Sequence, residues 1–325
     1  MSSISVEAKL EFGFSDNDKK GRIFCIRNLL KLGDGRICFS YNNTIIILNK
    51  KTFRIEIKEE KVHKKEILSL SQLEDGKLIS CAEEPILNLY NIEEKHLSIH
   101  QKIDVLSNIP DDFKKKFKYI YNATELINKE LAICCSFPVI IFYGYHPLKE
   151  LYEFKYYIHE PKGSSIRSFL QINENQIILM TWKSSGCGTS TRILLCDLKE
   201  KKINEKPIIT HNGKGSSICK LSENYLAIAA LKSVLIIDLK KLKKIYEYIL
   251  GDYFIYNLSL FGNYLFCGCS DGSIYKYIVN DAQLVLKDKI NEQNKPIIAL
   301  IKCNKNTIMI SLSKSIIIYD VSKEN

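Results

Sequence analysis

Short apolar runs broken by turn residues recur along the whole chain. One stretch shows the unit plainly. Ile255–Phe261, Leu265–Cys269 and Ile274–Ile278 are largely apolar or aromatic, and Gly262-Asn263 and Ser270-Asp271-Gly272 separate them. Short runs rich in β-branched and aromatic side chains, punctuated by Asn, Asp and Gly, predict antiparallel strands joined by tight turns.

Laid over the rest of the chain, this unit recurs seven times. Each copy opens on Ile: Ile26, Ile67, Ile120, Ile166, Ile218, Ile255 and Ile297. The mean spacing is about 45 residues, a period that marks a solenoid or propeller. A second column holds Ile37, Leu78, Leu131, Ile177, Leu226, Leu265 and Ile308, and a third strand follows in every copy. Runs such as Ile45-Ile46-Ile47-Leu48 and Ile316-Ile317-Ile318 are apolar at successive positions. Such runs predict sheets covered on both faces. Residues 4–12 instead alternate, with Ile4, Val6, Ala8, Leu10 and Phe12 on one side. The last repeat ends near Asp320 without a fourth strand, so a strand over residues 3–13 is expected to complete it beside Ile316–Tyr319. That closure removes a free sheet edge. The expected fold is therefore all-β: a seven-bladed β-propeller of four-stranded antiparallel blades, its N-terminal strand closing the last blade, as a single domain over residues 1–325.

The pattern Ile67-x-Ser69-Leu70, Asp75-Gly76-Lys77-Leu78-x-Ser80, Leu87-x-Leu89-Tyr90-Asn91 resembles the WD40 repeat, and the resemblance runs over almost the whole chain. It is degenerate. Tyr90-Asn91, Cys196-Asp197, Ile237-Asp238 and Tyr319-Asp320 stand where the family has Trp-Asp, and only His63 lies near the place of the Gly-His pair. No repeat reads as carrying the family's full polar tetrad. The resemblance thus implies a propeller whose blades pack mainly by apolar burial, at roughly 25 cal/mol per Å². It also implies a non-catalytic scaffold or adaptor within a larger complex.

The net charge of +10 comes almost wholly from Lys, which suits acidic or phosphorylated protein segments and leaves RNA or a ribosomal surface as an alternative partner. Eleven cysteines without a Cys-x-x-Cys pair, mostly inside apolar runs, read as structural thiols in a reducing compartment. The N-terminus lacks the organisation of a signal sequence, and Pro138 interrupts the longest apolar run, Leu131–Tyr145. The expectation is a cytoplasmic or nuclear protein, a monomeric propeller inside a hetero-complex, with no transmembrane segment.

Candidate contact residues come from long connections and from one column. Strand parity puts the loops at 104–118, 159–165, 183–191 and 205–217 on one rim, where function concentrates. Asp111 is placed to cap a short helical turn in the first of them. The sequence His-x-x-Lys-Gly-Ser-Ser-Ile occurs at His159–Ile166 and again at His211–Ile218. Lys, Gly and paired hydroxyls suit an acidic side chain or a phosphate, and equally suit a turn between blades. The column after the opening Ile adds Arg27, Tyr121, Arg167 and Tyr256, residue types favoured at interfaces. The candidate partner-binding set is Lys162, Arg167, Trp182, Lys183, Lys214, Lys220, Arg27, Tyr121 and Tyr256.

Enzyme chemistry finds little support. The six His are scattered, no Gly-x-Ser-x-Gly elbow occurs, and neither Lys-Gly-Ser-Ser copy has the Gly spacing of a nucleotide loop. No cofactor or metal is expected. The Phe/Leu-Arg-Arg-Gly signature of phosphoinositide-binding propellers is absent.

Overall fold

The structure is a computed structural model that describes residues 5–12, 25–185, 188–290, 295–304 and 306–321. The predicted linker at Asp16–Lys20 and the residues Gly186 and Cys187 lie outside the described residues.

Strand β1 is Ser5–Glu11. Blade one holds β2 (Ile26–Lys31), β3 (Ile37–Tyr41), β4 (Thr44–Leu48) and β5 (Ile55–Glu59). Blade two holds β6 (Ile67–Gln72), β7 (Leu78–Ala82), β8 (Ile86–Ile92) and β9 (Leu97–Asp104). Helix α1 (Asp111–Lys114) leads to blade three: β10 (Ile120–Glu125), β11 (Leu131–Cys135), β12 (Val139–His146) and β13 (Leu151–His159). Blade four holds β14 (Ser165–Asn173), β15 (Gln176–Ser185), β16 (Gly188–Asp197), β17 (Lys202–Ile203) and β18 (Ile209–Asn212). Blade five holds β19 (Gly215–Lys220), β20 (Tyr225–Ala230), β21 (Ser233–Asp238) and β22 (Lys243–Ile249). Blade six holds β23 (Ile255–Phe261), β24 (Tyr264–Cys269), β25 (Ile274–Asn280) and β26 (Gln283–Ile290). Blade seven holds β27 (Ala299–Lys302), β28 (Thr307–Ser311) and β29 (Ser315–Asp320), and β1 is its fourth strand, antiparallel to β29. This is the all-β, seven-bladed propeller that the repeats predict, with the N-terminal strand paired to the last blade.

The chain divides into two compact units, Met1–Asn42 with Leu48–Phe53 and Gly215–Asn325, and Asn43–Ile47 with Arg54–Lys214. In the first, β23 packs on β19 and β20, β27 on β23, and β2 on β27 and β28. In the second, β10 packs on β6 and β7, and β14 on β10, β11 and β12. Every residue of β7, β11 and β28 is buried, because neighbouring sheets cover both faces. Each fully buried Ile or Leu contributes about 1.5–3 kcal/mol.

Three Asp-Gly turns share one construction. The Asp carboxylate accepts the N–H two residues on, at 2.9 Å (Asp34 to Arg36) and 3.0 Å (Asp75 to Lys77, Asp271 to Ser273). The intervening Gly35, Gly76 and Gly272 take φ of 90°, 91° and 88°, a region that favours glycine.

Three details differ from expectation. Pro110 is the residue before α1, and Asp111 is its first helical residue with no side-chain cap; its carboxylate instead pairs with Lys114 at 2.8 Å. The segment Ser184–Thr191 was expected as a loop, yet β15 and β16 continue through it, pairing Lys183 with Ser190, Ser184 with Thr189 and Ser185 with Gly188. β-Branched Thr189 and Thr191 suit the extended hairpin. The outer strand of blade four is split, because Ile203 pairs near Cys196 while Ile209 pairs with Ile193. The surplus residues between them include Pro207, which cannot donate to a ladder.

Candidate functional site

The register of the first strand of a blade sets the site. In β10, Ile120 pairs with Cys135 and Asn122 with Cys134, so Tyr121 is the extra residue of a bulge. In β14, Ile166 pairs with Thr181 and Ser168 with Met180, so Arg167 is extra in the same way. A bulged residue leaves the alternation of the strand and is re-aimed. These two meet across neighbouring blades, with the Arg167 guanidinium carbon 3.6 Å from the Tyr121 ring centroid.

The other face of Arg167 is covered from its own blade. Trp182, on β15 opposite Ser165, places its ring 3.7 Å from the same guanidinium carbon. The extended β15–β16 hairpin carries Trp182 there. The chain after β18 is tied to that hairpin, as Gly213 donates to the Thr189 carbonyl at 2.7 Å and the Thr191 hydroxyl donates to the Gly213 carbonyl at 2.7 Å. This brings Lys214 to the indole, its Nζ 5.4 Å from the ring centroid. Tyr119 packs on Tyr121 at 5.6 Å between ring centroids. The result is a layered stack of Tyr121, Arg167 and Trp182 with Lys214 beside it, all within the second compact unit.

Burial lowers the pKa of Arg167, and the titratable groups acting on it are the Tyr121 phenol, which is also its hydrogen-bond partner, the Cys134 thiol and the Tyr119 phenol. Burial also raises Tyr121, against the pull of Arg167.

The remaining candidates fall elsewhere. Lys162 is exposed in the turn before Ser164, and Lys183 is exposed on β15. Lys220 bonds to Glu223 at 2.7 Å, and Lys220, Arg27 and Tyr256 belong to the first compact unit, Tyr256 being exposed. The column after the opening Ile changes in blade five. There Gly215 pairs with Ala230, the residue four past Leu226, and so holds the place that Ile166 holds opposite Thr181. Ile218 lies three residues farther along β19.

That shift separates the two His-x-x-Lys-Gly-Ser-Ser-Ile copies. In the first, Glu160 is wholly buried and turns the chain: its carboxylate accepts from the Ser164 N–H at 2.6 Å and from Arg192 Nη1 at 3.0 Å. Arg192 Nη1 also donates to Ser164 Oγ at 3.1 Å. In the second, Ser216 donates to the Ile255 carbonyl at 2.5 Å and Ser217 Oγ accepts from the Leu258 N–H at 3.1 Å. The hydroxyls of Ser164, Ser216 and Ser217 are thus engaged in fastening the chain, and the two copies serve different junctions. The sequence reading missed Glu160 and Arg192, which lie 32 residues apart in the chain, Glu160 inside a polar turn that gives no sign of burial.

It also missed a buried network in blade two. His63 Nδ1 lies 2.6 Å from Glu84 Oε1 and Nε2 lies 2.6 Å from Ser80 Oγ, while Asn88 Nδ2 donates to the Tyr90 hydroxyl at 2.9 Å and to the Val62 carbonyl at 3.0 Å. No repeat had read as carrying a full polar tetrad. Blade two assembles a comparable network, with Glu84 and Tyr90 among its members.

Burial pushes the thiols of Cys134, Cys196 and Cys303 up to about 12. Thiols so shifted are not thiolates at neutral pH. Among the described residues no three His, Cys, Asp or Glu side chains are grouped to hold a metal ion, and no helix is long and apolar enough to cross a membrane.

No family model matches the chain, and none of the curated proteins matches it in sequence. In three dimensions it resembles 1284 chains of solved structures, so the likeness fixes an architecture that many proteins share. One of them is a chain in the crystal structure of the mitotic checkpoint complex, at 10% identity and a TM-score of 0.74 over 99% of this chain and 96% of that one.

Proposed function

We propose that the protein is a WD40-like scaffold, a single non-catalytic propeller domain that presents a rigid face to protein partners within a larger assembly in the cytoplasm or nucleus. The observation that carries this reading is the stack of Tyr121, Arg167 and Trp182 with Lys214 beside it. Aromatic and Arg side chains held in fixed positions are the anchors that dominate protein interfaces. The likeness to a chain of the mitotic checkpoint complex is consistent with a fold used inside multi-protein assemblies.

The test is a native pull-down with mass spectrometry, with and without RNase, comparing the wild type with a folded Arg167→Glu/Lys214→Glu variant. Discrete proteins that survive RNase and are lost by the variant support the scaffold and this face. Ribosomal or other RNA-bound proteins that vanish with RNase transfer the function to RNA association, the reading that the Lys-rich charge favours. A partner set that the variant retains in full removes the stack from the interface.

A further inference from the structure

We infer that the Arg167 stack is an edge-on seat for an oxyanion, a carboxylate or a phosphate, carried on a protein segment. This rests on the stack being a partner-contact face and names the chemistry of the contact. The argument begins with geometry. Tyr121 and Trp182 cover the two faces of the guanidinium at 3.6 and 3.7 Å, so only its edge remains to donate. That edge is a planar fork of N–H groups, and its natural complement is a pair of oxygens on one centre. Sandwiching also fixes the side chain in advance, which lowers the ordering cost of binding.

Charge makes the second step. Arg192, a buried guanidinium, is neutralised inside the fold by Glu160 at 3.0 Å. Arg36 lies 2.7 Å from Asp34. Arg167 is half-buried, has lost part of its hydration, and meets phenols and a thiol where those two meet carboxylates. Lys214 adds a second cation at the indole. A partly desolvated, pre-oriented guanidinium with exposed Lys214 close by, and no carboxylate bonded to it among the described residues, is complementary to an anion supplied from outside. Partner Asp or Glu carboxylates and a phosphorylated side chain share this chemistry.

Trp182 is the only tryptophan of the chain, so its emission reports directly on the stack. The full-length protein is titrated at constant ionic strength with a Glu-rich peptide, with a peptide carrying one phosphoserine, and with the same peptide unphosphorylated. Labelled-peptide anisotropy gives a readout that does not depend on the indole. We expect saturable binding of the Glu-rich peptide, the phosphopeptide or both, and none of the neutral peptide. Which of the two binds tighter identifies the source of the anion. In Arg167→Gln the affinity falls by about tenfold or more, and Arg167→Lys fails to restore it because an ammonium cannot reproduce the fork. Lys214→Gln weakens binding less, and exposed Lys199→Gln leaves it unchanged. Melting curves establish that each variant is folded. Absent binding, binding that Arg167→Lys fully retains, or tighter binding of an oligouridine at the same salt overturns the seat. If both acidic peptides fail while the pull-down still depends on Arg167 and Lys214, the seat is wrong and the scaffold stands. If the peptides bind but no protein is captured, the seat stands and the scaffold reading falls.

Discussion

Removing one member of the Glu160–Arg192 pair should cost much more than removing both. The two side chains are 0% and 6% exposed, with Nη1 and Oε1 3.0 Å apart. At that distance the gross attraction is roughly 5 kcal/mol at an effective dielectric of 20. Desolvation of the two ions, several kcal/mol each, offsets most of it. Glu160→Ala cancels the attraction but leaves the desolvation of Arg192. A guanidinium does not shed its proton at workable pH. Nη1 would keep only Ser164 Oγ, and Nη2 is buried without a partner even in the wild type. The Ser164 N–H also loses its acceptor. The expected cost is about 3–5 kcal/mol. Glu160→Leu/Arg192→Met removes both charges and should lie within about 2 kcal/mol of the wild type. Urea unfolding followed by far-ultraviolet circular dichroism reads the difference. With a slope of about 2–3 kcal/mol per M, the single variant should lose about 1–2.5 M of midpoint, and the double variant should recover most of it. Because the same turn leads into β14, Trp182 emission should shift in Glu160→Ala before global unfolding. A single variant that loses less than about 0.3 M, or a double variant less stable than the single, refutes the claim that the buried cation sets the cost.

Two further outcomes follow from other parts of the fold. Burial lowers the pKa of His63 below its ordinary 6.5, outweighing the neighbouring Glu84 carboxylate. The unfolded chain therefore takes up the proton first as pH falls, so the contribution of His63 is complete above about 6.5 and is lost as pH drops through its folded pKa. The melting-temperature gap between wild type and His63→Gln should narrow from pH 7.5 to pH 5, and a constant gap contradicts the linkage. In blade six, a Cβ on Gly268 would lie 2.7 Å from Ile297 Cγ2 and 3.2 Å from Ile297 Cβ. Gly268→Ala should then destabilise by about 1–3 kcal/mol in urea, and wild-type stability would mean that β24 and Ile297 are free to move apart.

The strands were legible because a sheet covered on both faces writes its burial directly into the sequence. Ile45–Leu48 and Leu131–Cys135 are wholly buried, and each had appeared as an unbroken apolar run. The closing strand was legible for the opposite reason, since Ala8 and Leu10 are half-buried while Lys9 and Glu11 are exposed, although a register shift between Val6 and Ala8 leaves Val6 exposed against the alternation. Register was less accessible. Gly215 takes the place of an opening Ile but has no side chain to show it, so the periodicity settled on Ile218. The extended hairpin was hidden by its composition, since Gly, Ser and Thr read equally well as a loop.

The stack exposes a deeper limit. Tyr121 and Arg167 were visible as members of one column, but a column predicts equivalent positions in separate blades and says nothing of contact between them. Contact arises because both are the unpaired residues of bulges in adjacent sheets, and because β15 places Trp182 opposite Ser165, two residues before Arg167 on β14. Neither feature has a composition signal. The charges behave likewise. Arg167 and Arg192 are two scarce guanidiniums on β14 and β16 of one sheet, with β15 between them, and by sequence each is an isolated cation beside apolar residues. What separates them is which side chain the turn after His159 brings inside. Glu160 reaches Arg192 and neutralises it, while the bulge turns Arg167 toward two rings. The first arrangement spends its charge within the fold, and the second leaves it directed at a partner.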